Sequence, residues 1–271
     1  MKRMTDLATM SSVCPDWTLQ EVVDGMKRHG YKGFEPRVEW DHASGIEADL
    51  SAEARAETKR VFADEGLKIC CIATSVRMAA PDAAERAGYV EDLRRYIQLA
   101  ADLDCQLIRT FGGPRAGGEL IPIVDYTADG YRQITADAES AGVTVLMETH
   151  DDWCASASVR AVVEAVDSPR VKVLWDFMHP QRMMERPEES FANLGALTAH
   201  VHAHDGSLVD GRMQVGPLGE GIIDHETPLH MLEDAGFDGY FSVEVIHKPG
   251  SDHDADGVLA NYAEGFNSYQ R

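Results

Sequence analysis

The chain has 271 residues and carries 46 Asp and Glu against 25 Lys and Arg, a formal net charge of -21. Such a balance favours solubility, repels polyphosphate and argues against nucleic acid as a partner. No apolar stretch approaches the roughly eighteen residues of a membrane span, and Met1-Lys2-Arg3-Met4-Thr5-Asp6 leads into neither a signal-type run nor a cleavage pattern, so the expectation is a cytoplasmic protein without a membrane partner. The cysteines Cys14, Cys70, Cys71, Cys105 and Cys154 form no CxxC pair and read as reduced thiols.

Leu7–Ser12 reads as a first strand, and Thr18–Arg28 as a helix with Leu19, Val22, Val23 and Met26 at helical spacing before Gly30. Gly33-Phe34-Glu35 is a brief second strand, Ala52–Glu65 a helix closed by Gly66, and Lys68–Ala73 a third strand. A long helix over Ala83–Leu103 precedes a fourth strand, Leu107–Thr110, which ends in the Gly112-Gly113-Pro114 turn. Helix Asp125–Ala141 then leads to strand Thr144–Met147, with Glu148 at its tip. The alternation continues through helix 158–166, strand Val171–Trp175, helix Glu188–Leu197 and strand His200–Ala203. Asp205–Gly221 reads as a loop; helix Asp224–Ala235, strand Tyr240–Val243 and a terminal helix over Asp254–Phe266 complete the chain.

Eight strand–helix alternations with short connections and right-handed crossovers close most simply as a single α/β domain, a (β/α)8 TIM barrel. A doubly wound open sheet is the alternative. It would usually carry a glycine-rich fingerprint after the first strand, and Ser11-Ser12-Val13-Cys14-Pro15-Asp16 is not one.

In such a barrel the functional groups sit at the C-terminal ends of the strands, where Glu148, Asp176, His202 and Glu244 end strands five to eight. Three carboxylates and an imidazole form a hard-to-borderline donor set that suits one divalent ion, Mn2+ first, with Mg2+, Co2+ and Zn2+ as alternatives. Each residue also has a bland reading. Glu148 alone could be a rim salt-bridge partner, and Asp176 a helix cap, although His179 and Pro180 behind it argue for a loop. Strand alternation puts His200, His202 and His204 on one face, and they cannot all be ligands.

Taken in order, Glu148-Thr149-His150, Asp176-Phe177-Met178-His179, His200-Val201-His202-Ala203-His204-Asp205, Leu218-Gly219-Glu220-Gly221-Ile222-Ile223-Asp224 and Gly239-Tyr240-Phe241-Ser242-Val243-Glu244 resemble the xylose-isomerase-like sugar phosphate isomerase/epimerase superfamily. The resemblance covers nearly the whole chain and is clearest over 144–245. It implies one divalent ion held by Glu148, Asp176, His202 and Glu244, with Glu148 and Glu244 doubling as acid/base groups and His179 contacting substrate. The histidine in Glu148-Thr149-His150 is similar to one that faces substrate in dehydroshikimate and inosose dehydratases, and Arg109 matches an arginine often found at the end of strand four. Glu35 and Arg37 end strand two. One departure is His204, where many relatives have lysine; a titratable imidazole replaces a fixed cation.

The chemistry expected of these groups is proton abstraction α to a carbonyl by a glutamate, with the ion as Lewis acid for the developing enediolate. Reprotonation at the neighbouring carbon gives an isomerase, reprotonation from the other face an epimerase, and loss of a β-hydroxyl a dehydratase. The reading is an isomerase or epimerase of a small sugar or keto-polyol, with a dehydratase or lyase of a cyclic keto-polyol as one alternative and a non-catalytic sugar- or partner-binding barrel as another. His150, His179, Arg109, His204 and Arg212 are the expected substrate contacts, and Trp40, Trp153 and Phe177 either wall a sugar face or pack as ordinary aromatics. The oligomeric state stays open, a homo-oligomer included; the polar tail from Gly250 covers a neighbouring subunit's site or is solvated.

Overall fold

In the computed structural model, which describes residues 5–115 and 117–269, side-chain caps mark the starts of several helices. Thr18 and Glu21 form a capping box at the start of α1 (Leu19–His29), and Gly30 ends it in the left-handed region at φ 80°, its N–H donating to the Met26 carbonyl. Ser51, Asp82 and Asp254 side chains cap α2 (Ala52–Asp64), α3 (Ala83–Asp102) and, at the end of the chain, α10 (Ala255–Ser268), each accepting from a first-turn amide. Between these lie α4 (Leu120–Arg132), α5 (Thr135–Ala141), α6 (Ser156–Val166), α7 (Met178–Arg182), α8 (Pro187–Leu194) and α9 (Glu226–Asp234). None of the described helices is long and apolar enough to cross a membrane.

The strands are β1 (Asp6–Met10), β2 (Gly33–Glu35), β3 (Lys68–Ile69), β4 (Ile72–Arg77), β5 (Leu107–Phe111), β6 (Thr144–Glu148), β7 (Val171–Asp176), β8 (Thr198–Ala203), a hairpin of β9 (Asp205–Val209) and β10 (Arg212–Gly216), and β11 (Tyr240–Val243). Nine of them form one parallel sheet in the order β3-β2-β1-β11-β8-β7-β6-β5-β4. The two ends of that order, β3 and β4, are halves of a single run, broken at Cys70-Cys71. The sheet therefore curls back on itself. Val38 N–H donates to the Ala73 carbonyl at 3.0 Å and Ala73 N–H to that of Pro36 at 2.9 Å, so the barrel is a (β/α)8 barrel with an irregular third strand.

Val145, Met147, Val173, Trp175, Val201, Phe241 and Val243 alternate with Glu148, Asp176, His202 and Glu244, so they face outward and are buried beneath the helices, where Trp175, Phe177 and Phe241 pack edge to face at 5.0 and 6.3 Å. Inside the barrel Ala8, Cys70 and Cys71 form a small separate apolar cluster, and Glu35, His200 and Ser242 are joined by hydrogen bonds. Phe177 and Trp153 are core aromatics, fully buried, with the Trp153 indole N–H donating to the Gly113 carbonyl at 3.0 Å. Gly112 is required there, because a Cβ would stand 2.2 Å from the Trp153 ring.

Four expectations need correction. The expected Asp125–Ala141 helix is two helices, starting earlier and breaking between Arg132 and Thr135; Pro122 sits in the first turn, where its missing N–H costs nothing. The third strand is interrupted. The expected loop Asp205–Gly221 contains the β9–β10 hairpin, whose five registered pairs run from Asp205–Gly216 to Val209–Arg212. The segment after Asp176 is a short helix rather than a loop, Asp176 Oδ1 accepting from the Met178 and His179 amides at 2.8 and 3.3 Å.

Candidate metal centre and active site

Strands β6, β7, β8 and the end of β11 deliver Glu148, Asp176, His202 and Glu244 to one point: one donor atom from each lies within 4.8 Å of the others. All four are buried, Glu244 being 3% exposed and the others 0%. His202 Nδ1 is 2.9 Å from Glu148 Oε1 and 3.2 Å from Glu244 Oε2, while its Nε2 faces the two oxygens of Glu35 at 3.0 and 3.1 Å. Glu35 thus accepts the Nε2 proton and leaves Nδ1 turned into the cluster.

Charge in this pocket is tightly balanced. Burial opposes ionisation of His202, but Glu35, Glu244 and Glu148 together raise its pKa well above the ordinary imidazole value. Burial also opposes the Glu35 and Glu244 charges, and His202 with its histidine neighbours holds both carboxyls well below the usual range. Asp176 behaves alike, lowered by His204 and His179 against its burial. Three carboxylate oxygens, Glu148 Oε2, Asp176 Oδ2 and Glu244 Oε2, are buried without a hydrogen bond. Each faces one ion-pair partner, Arg109 Nε at 3.3 Å, His204 Nε2 at 3.0 Å and His202 Nδ1 at 3.2 Å respectively, and the converging set of three carboxylates and one imidazole fits a divalent cation.

Around this centre Arg109, 1% exposed, donates to the Thr74 carbonyl and holds its Nε 3.3 Å from Glu148 and its Nη2 3.9 Å from Glu244. Its guanidinium lies 4.0 Å over Phe111, which Arg37 approaches from 5.7 Å while stacking on half-exposed Trp40 at 4.5 Å. Phe111 in turn packs on His150 at 4.6 Å, His150 on His179 at 4.5 Å, and His179 on His204 at 5.7 Å. The mouth is therefore rimmed by one continuous chain of cationic and aromatic rings. Of the expected contacts His150, His179, Arg109 and His204 belong to it; Arg212 does not, standing exposed at the start of β10 with no ion pair or hydrogen bond to the cluster among the described residues.

Sequence reasoning noted Glu35 but gave it no role. It is fully buried and accepts from His200 at 2.9 Å and Ser242 at 2.8 Å as well as from His202. The usable signal was a carboxylate closing a short apolar strand on the same rim. Asp205 was likewise missed: its carboxylate, buried, takes the amides of Gly206, Gly219, Gly221 and Ile223 at 2.7–3.2 Å and so binds the loop after the hairpin. Gly221 permits this approach, since a Cβ there would stand 2.0 Å from Asp205 Oδ1.

Barrel and site together define a (β/α)8 protein with a polar cluster at the C-terminal mouth. A family model for the xylose isomerase-like TIM barrel matches residues 23–266, and the chain belongs to that family. The chain is 27% identical over 165 residues to the Methanocaldococcus jannaschii protein MJ1311, a match spanning 57% of this chain and just over half, 56%, of that one. It is 25% identical over 223 residues to the L-ribulose-5-phosphate 3-epimerase UlaE of Shigella boydii, covering 78% of this chain and 76% of the epimerase. Among solved structures the IolI protein with a bound zinc atom superposes with a TM-score of 0.83 at 17% identity, covering 98% of both chains. The probable 3-DHS dehydratase AsbF of Bacillus anthracis superposes with a TM-score of 0.79 at 20% identity, covering 97% of this chain and 99% of that one.

Proposed function

We propose that this protein is a divalent-metal-dependent isomerase or epimerase of a small sugar or keto-polyol. The observation that carries the reading is the buried convergence of Glu148, Asp176, His202 and Glu244, one donor atom of each lying within 4.8 Å of the others. Membership of the xylose isomerase-like family and the likeness to an L-ribulose-5-phosphate 3-epimerase support it. These four residues would hold the ion, which when bound supplies Lewis acidity to a substrate carbonyl and its neighbouring hydroxyl. Mn2+ is the first candidate, with Zn2+, Mg2+ and Co2+ behind it.

The chain's own groups divide the remaining work. Glu148 and Glu244 stand on strands separated by β7 and β8, so they serve as acid and base toward different sides of a substrate lying over the mouth. Arg109 reaches toward both carboxylates, its Nε 3.3 Å from Glu148 Oε2 and its Nη2 3.9 Å from Glu244 Oε1, and adds positive charge beside them. His150, His179 and His204 bind substrate hydroxyls along the rim. A dehydratase of a cyclic keto-polyol is the second reading, favoured by the run of three imidazoles, any of which can protonate a leaving hydroxyl, and by the fold shared with AsbF.

The test is metal analysis of the purified protein, followed by incubation with ketoses, inososes and dehydroshikimate in deuterated water before and after chelation and Mn2+ add-back. Chelator-sensitive deuterium uptake at the α carbon is the expected result; loss of water with a new conjugated absorbance selects the dehydratase instead. Glu244→Gln is expected to stay folded while losing turnover and most of its metal. Full activity in that variant would refute the assignment.

A further inference from the structure

The segment 36–50 leaves the C-terminal end of β2 and is tied to the ends of neighbouring strands. The Arg37 amide donates to Ser11 Oγ beyond β1 at 2.8 Å, and its guanidinium donates to the Ala73 carbonyl and Ser75 Oγ of β4 at 3.3 and 2.8 Å. Glu39 and Asp41 take the left-handed region at φ 71° and 52°, and the Glu47 carboxylate holds that turn by accepting both their amides at 2.6 and 3.2 Å. Arg37 is 4% exposed, yet a carbonyl and a hydroxyl are its acceptors, and no carboxylate makes an ion pair with it among the described residues. Burial, then the Arg109 charge, oppose its ionised form, and Glu244, Glu39 and Glu148 offset them only in part. A buried charge is ordinarily paired. The head group stands at the mouth, its Cζ 5.7 Å from the centroid of the Phe111 ring that Arg109 covers at 4.0 Å, and 4.5 Å over Trp40.

His42 supplies an independent observation. It is also 4% exposed, and its Nδ1 lies 2.8 Å from Ser11 Oγ. That oxygen accepts from the Arg37 amide, and its own O–H has no other acceptor among the described residues, so it donates to Nδ1. Burial and the Arg37 charge keep the ring neutral, which places the His42 proton on Nε2, a buried atom without a hydrogen-bond partner. Trp40 packs edge-on against this ring at 5.8 Å while stacking on Arg37, so the three side chains form one group. A buried guanidinium without a counter-charge and a buried N–H without an acceptor call for an acceptor-rich, negatively charged ligand group.

We infer that Arg37 and His42 bind an anionic group, carboxylate or phosphate, at one end of the substrate, with Trp40 against it and the substrate carbonyl at the four-residue centre. The inference rests on the reading of this mouth as a sugar-enolising site and narrows its substrates to sugar acids or sugar phosphates. Arg109 is less suited to that role, because Glu148 and Glu244 already engage it at 3.3 and 3.9 Å. The net charge of -21 opposes an anion at long range, but screening over about 8 Å at physiological ionic strength limits that opposition and leaves contact with the guanidinium to decide.

The experiment is calorimetric titration of the full chain, with Mn2+ and after chelation, using ribulose, ribulose 5-phosphate, ribonate and inorganic phosphate alone. In wild type at least one charged probe is expected to bind about tenfold or more tighter than ribulose. Arg37→Gln is expected to weaken that probe by about 10–100-fold, the loss of one or two hydrogen bonds to a charged group. Arg37→Lys, which keeps the charge without the planar fork, should fall between. A preference for ribulose 5-phosphate and inorganic phosphate assigns a phosphate, one for ribonate a carboxylate, and either upholds the inference. Charged and neutral probes that bind alike, or no binding by any of them, overturn it. So does a charged preference that Arg37→Gln, folded by circular dichroism, leaves intact; its loss on chelation would then place the anion on the ion. Deuterium exchange separates this site from the reaction: a charged preference that needs Arg37, without enolisation of any probe, removes the reaction and keeps the site. Enolisation of ribulose without a charged preference does the reverse. If Arg37→Gln does not fold, the wild-type preference and Arg37→Lys decide the matter.

Discussion

Glu35 answers three donors from two other strands with only two oxygens, which fixes how His202 presents itself. An amide at this position offers one acceptor oxygen and turns an N–H2 toward at least one donor. Glu35→Gln is therefore expected to weaken metal binding about 10–100-fold, as loss of an outer partner typically does, measured by chelator competition, with little change in turnover at saturating metal. Unchanged affinity would mean that His202 is oriented by something else. His200 makes a sharper contrast: it donates to Glu35 but has no atom in the four-residue cluster, so His200→Gln is expected to keep the metal that His202→Gln loses. Cys154 carries the pH prediction. Burial chiefly pushes its thiol up to about 11, so its thiolate is scarce at neutral pH, and its alkylation by iodoacetamide should rise about tenfold per pH unit from pH 7 to 10. A rate that levels off near pH 9, followed by mass spectrometry, would show an ordinary thiol.

At the scale of elements, the Asp205 carboxylate is the pin of the segment between the hairpin and α9. Hydrogen bonds to a charged group contribute about 1.5–3 kcal/mol each at most, and four amides share this one. Asp205→Asn is expected to lower the thermal midpoint by several degrees, at roughly 2–4 °C per kcal/mol for a chain of this size. Exchange should quicken at the Gly219, Gly221 and Ile223 amides and not in β6 or β7. This segment also shows where sequence reasoning reached and where it stopped. The strand ends bearing Glu148, Asp176, His202 and Glu244 were legible because an apolar run closed by one polar residue is a local pattern, and a barrel brings successive ends together whatever lies between. The hairpin was not legible, because β9 and β10 are largely exposed and lack the alternation that burial imposes. The helix α7 was hidden by Pro180, which reads as a breaker but lies within the first turn, where proline is tolerated. The role of Glu35 depends on partners 165 and more residues away, which no window of sequence contains.

For the molecule as a whole, a buried site with surplus carboxylate is expected to gain stability from any ion it takes up. Ligand at about 100 times its Kd adds about 2.7 kcal/mol, so Mn2+ or Zn2+ should raise the midpoint of chelated wild type and leave Glu244→Gln nearly unmoved in differential scanning calorimetry. The same midpoint in both would mean that the cations bind elsewhere. A final consequence follows from the order of the sheet. The first strand is not at an edge: β1 pairs with β2 on one side and with β11 on the other, Asp6 to Thr9 lying against Tyr240 to Val243. During synthesis the N-terminal strand must wait for nearly the whole chain before its second neighbour exists, about 10–50 s at ribosomal speeds of 5–20 residues per second. Throughout that interval a growing half-barrel carries an exposed flank along β1, a natural handhold for a chaperone and the place where two nascent copies would most easily join by mistake.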